Sequence, residues 1–133
     1  MGSTTIQQAN RDKRAALEGF KVKRDGEGKL IPIEKETTYG TVLVVPMVYG
    51  DAEKWAIEMK EAENVSADQL AAQFRKHIVD PDMSKITGDD LRKDFKPLAI
   101  QELLQATINA SGLENEVTAT VNADGTAKVA VKN

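Results

Sequence analysis

Residues 76–91, KHIVDPDMSKITGDDL, decide how this sequence is interpreted. They contain His77, the only histidine of the chain, together with aspartates that are close to it in sequence. The stretch could be a metal or catalytic site, or it could be the connection between two helices. Asp80-Pro81 is a combination that ends a helix, and Thr87 with Asp90 has the spacing of a capping box that begins the next one. We therefore interpret the stretch as a helix connection.

A metal site fits this stretch poorly. Asp80, Asp82 and Ser84 match the first, third and fifth positions of a calcium-binding loop. However, Lys85 stands where such a loop needs glycine, and Leu91 stands where it needs glutamate. A transition-metal site would lack the support of a second histidine. No metal, cofactor or catalytic residue is predicted.

The helix before this connection has a complete start signal. Ser66 and Gln69 are spaced as a capping box, and Val65 and Leu70 are placed as a hydrophobic staple. The helix should therefore begin just after Ser66. Its buried stripe is predicted to be Leu70, Phe74 and Ile78.

Two further helices are predicted around residues 51–64 and 97–111. Asp51 is expected to be the N-cap of the first, and Trp55 its buried anchor. Pro97 suits the first turn of the second, which should end at Ser111 and Gly112. Apolar residues recur at helical spacing in this last helix, at Leu98, Ile100, Leu103, Leu104 and Ile108.

Extended segments are predicted on both sides of the helical region. Residues 41–49, TVLVVPMVY, include Val42 and Val44 and have the β-branched composition of a strand buried on both faces. Pro46 indicates that this strand lies at an edge or ends there, and pairing with another chain is an alternative. Residues 116–132 alternate apolar and polar side chains about an Asn-Ala-Asp-Gly turn. This pattern predicts a hairpin that must pack on the helical core or on another subunit.

Together these elements predict an α+β fold in a single domain of 133 residues. It should have a central bundle of about four short helices at residues 51–111, an extended N-terminal arm with strands, and a C-terminal β-hairpin. The predicted divisions are a basic, partly extended arm at 1–40, a strand plus helical core at 41–113, and the hairpin at 114–133.

Charge is unevenly distributed along the chain. Residues 1–30 hold seven Lys and Arg against four Asp and Glu, a net +3, which leaves −6 on the remainder because the whole chain carries −3. This arm is expected to contain a polar helix at 4–18 and a hairpin at 20–33. It has no aromatic residue for base stacking beyond Phe20, so nucleic-acid binding is not expected, and a solvated or self-associating arm is favoured.

Composition argues against several classes of protein. The chain has no cysteine, and its single histidine stands in no recognisable nucleophile motif, so the sequence does not predict an enzyme. Without cysteine there are no disulfides, which fits a cytosolic protein. No apolar run reaches the length of a membrane span, so no membrane partner is expected.

The helical region resembles the small tail assembly chaperones of tailed bacterial and archaeal viruses. The features that carry the resemblance lie within about residues 65–113. A helix ends at Val-Asp-Pro-Asp, residues 79–82, and an acidic segment, Gly-Asp-Asp-Leu, follows at 88–91. A Leu- and Ile-rich helix then leads to a terminal Ser-Gly at 111–112. The N-terminal arm is compatible with such proteins, whereas the C-terminal hairpin is not explained by the resemblance.

The resemblance implies a non-catalytic protein of the host cytoplasm that binds tape-measure and tail-tube proteins during assembly of the viral tail. A homo-oligomer is also compatible with it. The alternative is a structural virion subunit, such as a tail, neck or head–tail connector component. A chaperone of this kind needs an exposed apolar groove or edge. The candidate partner-binding residues are Leu98, Ile100, Leu103, Leu104, Ile108, Leu70, Phe74, Val42 and Val44.

Overall fold

A computed structural model describes residues 14–62, 64–115, 117–122 and 126–131. Within these residues the chain forms antiparallel sheets and four α-helices, which confirms the predicted α+β fold. A short 3-10 helix, Leu17–Phe20, precedes the first strand. The strands are β1 (Ile33–Thr37), β2 (Gly40–Val44), β3 (Ile78–Asp80), β4 (Val117–Val121) and β5 (Ala127–Val131). The helices are α1 (Tyr49–Glu61), α2 (Ala67–His77), α3 (Gly88–Asp94) and α4 (Pro97–Ala110).

The first sheet has the order β1-β2-β3 and is antiparallel throughout. Thr37 pairs with Gly40, so the turn between β1 and β2 has only two residues, and Gly40 adopts a φ of +126° that other residues rarely take. β2 is the central strand, and it ends before Pro46. Of the two alternatives predicted from Pro46, the structure shows the strand that ends before this proline, and the predicted extension to residue 49 is wrong.

β1 lies within the part of the chain that was predicted as an N-terminal arm with strands. Residues 33–37 pair with β2 along its whole length, so this part of the arm is a strand of the first sheet. Their sequence, IEKET, is mostly charged, because this strand lies at the edge of the sheet with much of its surface in water. Side chains of β2 alternate instead, with Val42 and Val44 buried on one face.

The two predicted capping boxes are both present. The Ser66 hydroxyl accepts from the Gln69 amide at 3.2 Å, and the Ser66 amide donates to the Gln69 side chain at 2.9 Å. The Thr87 hydroxyl accepts from the Asp90 amide at 3.2 Å, and the Thr87 amide donates to the Asp90 carboxylate at 3.0 Å. These bonds satisfy amides that a helix N-terminus leaves unpaired, and they fix where α2 and α3 begin.

α2 and α3 approach each other closely at Gly88. This glycine is buried at the first position of α3. A β-carbon added there would lie 2.9 Å from the backbone nitrogen of Asp68 in α2, and closer still to the Asp68 carboxylate. The absence of a side chain at residue 88 therefore permits this packing.

Two helix ends differ from their predictions. α1 begins at Tyr49, with Val48 as an N-cap that lacks a side-chain hydrogen bond, and Asp51 lies in its first turn instead of capping it. A carboxylate in that turn still interacts favourably with the helix dipole. α2 ends at His77 because Ile78, predicted as the last residue of the helical stripe, begins β3 and pairs with Val44. Ile78 is nevertheless buried, as predicted.

The end of α4 agrees with its prediction. The amide of Leu113 donates to the Ile108 carbonyl at 3.0 Å, and the amide of Gly112 donates to the Asn109 carbonyl at 3.1 Å. Gly112 has a φ of +74°, which completes a Schellman motif. Pro97 stands at the first turn of the helix, also as predicted.

The C-terminal hairpin β4–β5 packs on α4 and α1, so within the described residues it is covered by the chain's own helices. Its inward residues Val117, Ala119, Ala127 and Val129 are buried. Val65 and Ala127 form a bridge that ties the hairpin to the start of α2. Three residues of the predicted turn, 123–125, lie outside the described part of the chain.

The predicted N-terminal elements lie only partly within the described residues. Most of the predicted helix at 4–18 lies outside the described residues, and its last residues enter the 3-10 helix. The predicted hairpin at 20–33 is reduced to one bridge, between Arg24 and Leu30. The Asp25 carboxylate accepts from the amides of Glu27 and Lys29 at 2.8 and 3.0 Å, which holds the turn.

Candidate protein-binding groove

The core of the molecule contains most of the residues that the sequence suggested for partner binding. Leu98, in the first turn of α4, is 47% exposed. The other eight are buried in the core between the sheet, the helices and the hairpin, so in this conformation they are not available to a partner. They are Val42, Val44, Leu70, Phe74, Ile100, Leu103, Leu104 and Ile108.

His77 is part of the same core. Its ring nitrogen Nδ1 lies 2.9 Å from the Val45 carbonyl, to which it donates when protonated there, and the Val45 amide donates to the His77 carbonyl at 2.7 Å. Burial lowers the pKa of His77 below its ordinary value of 6.5, with the bond to Val45 opposing that effect. His77 therefore joins α2 to the residue after β2, which agrees with its interpretation as part of a connection.

No group of three or more His, Cys, Asp or Glu residues that could hold a metal ion occurs in the part of the chain that the structure describes. Asp82 accepts from the Ser84 amide at 3.0 Å, and this hydrogen bond lowers the pKa of its carboxyl group. That contact belongs to the turn before α3, so the carboxylate has a local structural use.

A surface groove of about 1050 Å³ lies between the N-terminal segment and the body of the protein. A second cavity of about 620 Å³ shares Phe20, Lys23, Ile31 and Met47 with it. We refer to the two together as the groove. It is not the surface that the helical stripes predicted.

Hydrogen bonds hold Met47 and Ser111, which we call the floor of the groove. The Met47 amide donates to the Ser111 hydroxyl at 2.9 Å, and this hydroxyl donates to the Thr107 carbonyl at 2.8 Å. Met47 belongs to the connector between β2 and α1, and Ser111 caps the C-terminus of α4. The floor is therefore attached to two elements of the folded core.

Exposed apolar side chains line the groove. Phe20 is 78% exposed and Tyr49 is 80% exposed, and they come from the 3-10 helix and from the first residue of α1. Ile31 lines both cavities and Ile33 lines the smaller one, and each is more than one-third exposed. Large apolar side chains that are exposed around one concavity are typical of a protein-binding surface.

The wall formed by the N-terminal segment is basic. Lys21, Lys23 and Arg24 line the larger cavity, and of the carboxylates that the structure describes only Glu18 lines it. Lys21 pairs with Glu18 at 3.1 Å, and the Arg24 guanidinium donates to the Gly28 carbonyl at 2.9 Å. Among the residues that the structure describes, Lys23 forms no ion pair.

Sequence reasoning identified the basic arm and Phe20 but did not assign them to a binding surface. Exposure of Tyr49 could not be anticipated, because it was placed at the end of a buried strand. The usable signal was the combination of apolar and basic residues at 20–24, FKVKR, in a segment with too few apolar residues to be buried.

The comparisons with known proteins gave no match, whether to family models, to curated proteins or to solved structures. In the described residues no helix is both long enough and apolar enough to span a membrane.

Proposed function

We propose that this chain is a non-catalytic viral tail assembly chaperone that acts in the host cytoplasm and binds tape-measure and tail-tube proteins. The observation that carries the proposal is the groove, with the exposed side chains of Phe20 and Tyr49 on its walls. A chaperone that holds unassembled subunits needs apolar surface that is open to a client and not consumed by its own core.

The size of the apolar contact suits temporary binding. Full burial of one large apolar side chain contributes about 1.5–3 kcal/mol, so Phe20, Ile31 and Tyr49 together offer several kcal/mol at most. Association costs about 4–15 kcal/mol in lost translational and rotational freedom, which offsets much of that gain. A client would therefore bind tightly only through several such contacts, and it could be released when the tail polymerises.

The position of His77 supports a role without catalysis. Its imidazole is buried and one ring nitrogen is bonded to the Val45 carbonyl. A general base must reach the proton that it abstracts from a substrate, and this imidazole is used to connect α2 with the sheet. If an enzymatic assay detected an activity and His77→Asn left it unchanged, the general base of that activity would have to be another residue.

The direct test is co-expression with a tape-measure protein from a tailed virus. The wild-type chain should co-purify with it and keep it soluble, whereas the double variant Phe20→Ala/Tyr49→Ala should do neither. Ile57→Ala is the control, because Ile57 is also exposed but lies outside the groove. Failure of the wild-type chain to co-purify would refute the proposal.

Purified mature virions test the alternative of a structural virion subunit. A chaperone should be absent from them or present only in traces. Stoichiometric amounts of this chain in mature particles would instead establish the structural role.

A further inference from the structure

We propose that the groove binds a segment of a partner protein in which aromatic or aliphatic residues are flanked by Asp or Glu. The inference rests on the proposed function in one respect, namely that the groove binds protein. It adds the chemistry of the segment: apolar side chains that pack on Phe20 and Tyr49, and carboxylates that face Lys23.

The charge of the groove favours an acidic segment. Among the described residues its lining has three cationic side chains, Lys21, Lys23 and Arg24, against one carboxylate, Glu18, which is a net +2 from these residues on a chain whose total is −3. Lys21 is already paired with Glu18, so the unbalanced charge lies on Lys23 and Arg24. The guanidinium of Arg24 is directed to the Gly28 carbonyl, which leaves Lys23 as the cation best able to meet a carboxylate of the partner.

The apolar lining favours a segment that also carries aromatic or aliphatic side chains. No residue of the 3-10 helix is buried, and Phe20 and Tyr49, which line the larger cavity, are 78% and 80% exposed. These side chains gain burial only if something enters the groove. A strongly acidic segment without apolar residues would leave them in water, so charge alone does not describe the partner.

The experiment is selection of a phage library of short random peptides on the intact, immobilised protein. The selected peptides should be enriched in Asp or Glu next to Phe, Leu, Ile, Trp or Tyr. Affinities of a selected peptide are then measured by fluorescence anisotropy at low and high salt. Because the contact is partly electrostatic, binding should weaken as salt is raised.

Two matched pairs of variants locate the binding. Phe20→Ala should weaken binding about thirtyfold, the size of effect typical of a central apolar anchor, whereas Ile57→Ala, at an exposed residue of α1 outside the groove, should not. Lys23→Glu should weaken binding severalfold at low salt, and Lys85→Glu, with the same change in net charge, should leave it unchanged. All four positions are exposed, so the variants should fold, which circular dichroism verifies.

Each remaining outcome contradicts the inference. Selection of peptides without excess Asp or Glu, or equal affinities for Lys23→Glu and Lys85→Glu, would refute the acidic chemistry. No enrichment at all would refute peptide binding. Concentration-dependent self-association that Phe20→Ala abolishes would make a second copy of this chain the occupant. These results are independent of the tape-measure experiment, so either proposal can fail while the other stands.

Discussion

Replacement of Gly88 by alanine tests the packing of α2 against α3, and Gly50 provides its control. Both glycines lie in the first turn of a helix, Gly88 in α3 and Gly50 in α1. A β-carbon at Gly50 would have no neighbour within 4 Å, whereas at Gly88 it would lie 2.9 Å from the backbone nitrogen of Asp68. Only the second substitution therefore forces atoms to move.

The magnitude follows from the difference between the two variants. Gly→Ala at a position whose backbone conformation alanine can adopt stabilises a protein by about 0.4–1 kcal/mol, and this gain applies to both sites. Forcing an extra carbon into a packed contact costs about 1–3 kcal/mol, and this cost applies to Gly88→Ala alone. Gly50→Ala should therefore equal or exceed the wild type, and Gly88→Ala should be about 1–3 kcal/mol less stable than Gly50→Ala.

Urea unfolding followed by circular dichroism measures both free energies of unfolding. A third variant, Asp68→Ala/Gly88→Ala, separates the two contacts, because it removes the carboxylate and leaves the backbone nitrogen at 2.9 Å. It should recover only part of the loss once the effect of Asp68→Ala alone is subtracted. Equal free energies of unfolding for Gly88→Ala and Gly50→Ala would refute the reasoning, since the backbone could then have moved apart at no cost.

Three further predictions concern stability. Glu102→Ala should lower the free energy of unfolding in urea by about 1–2 kcal/mol, because the Glu102 oxygen Oε1 accepts from the Thr38 amide and hydroxyl at 3.0 and 2.8 Å. Glu102→Gln should lower it much less, because a glutamine oxygen can accept the same bonds, and equal losses would contradict this. Ser66→Ala should cost about 1 kcal/mol through loss of the capping box, and an unchanged urea midpoint would contradict that role. Burial lowers the pKa of His77, so the unfolded chain binds a proton more readily than the folded one, and the free energy of unfolding should decrease as the pH falls from 6.5 towards the pKa of the folded state. His77→Asn should flatten this dependence in urea unfolding between pH 7 and 5, and an unaltered slope would contradict the prediction.

Local signals in the sequence predicted the helices well. Ser66 with Gln69 and Thr87 with Asp90 fix two helix starts through bonds between residues only three apart, which a sequence pattern can show directly. Ser111 and Gly112 mark the end of α4 for the same reason. These signals also favoured the interpretation of residues 76–91 as a connection, and in the structure residues 78–87 join α2 to α3 and include β3.

Elements that depend on distant partners were predicted less well. β1 is mostly charged and is a strand only because β2 pairs with it, and β3 has only three residues, the first of which, Ile78, continues the apolar stripe of α2. Ile78 satisfies both patterns, so helical spacing alone assigned it to the helix. The groove was missed for a related reason: which apolar residues stay exposed depends on how elements far apart in sequence are arranged.

Ser111 connects the end of α4 to the groove, and this makes one backbone amide a reporter of both. The Met47 amide, which donates to the Ser111 hydroxyl, can exchange its hydrogen with solvent only when the last turn of α4 or the connector before α1 opens. An occupant that stabilises the floor should slow that exchange, even where it contacts only Phe20 and Tyr49. Opening of the last turn of α4 and release of the bound partner would then be coupled through one local equilibrium.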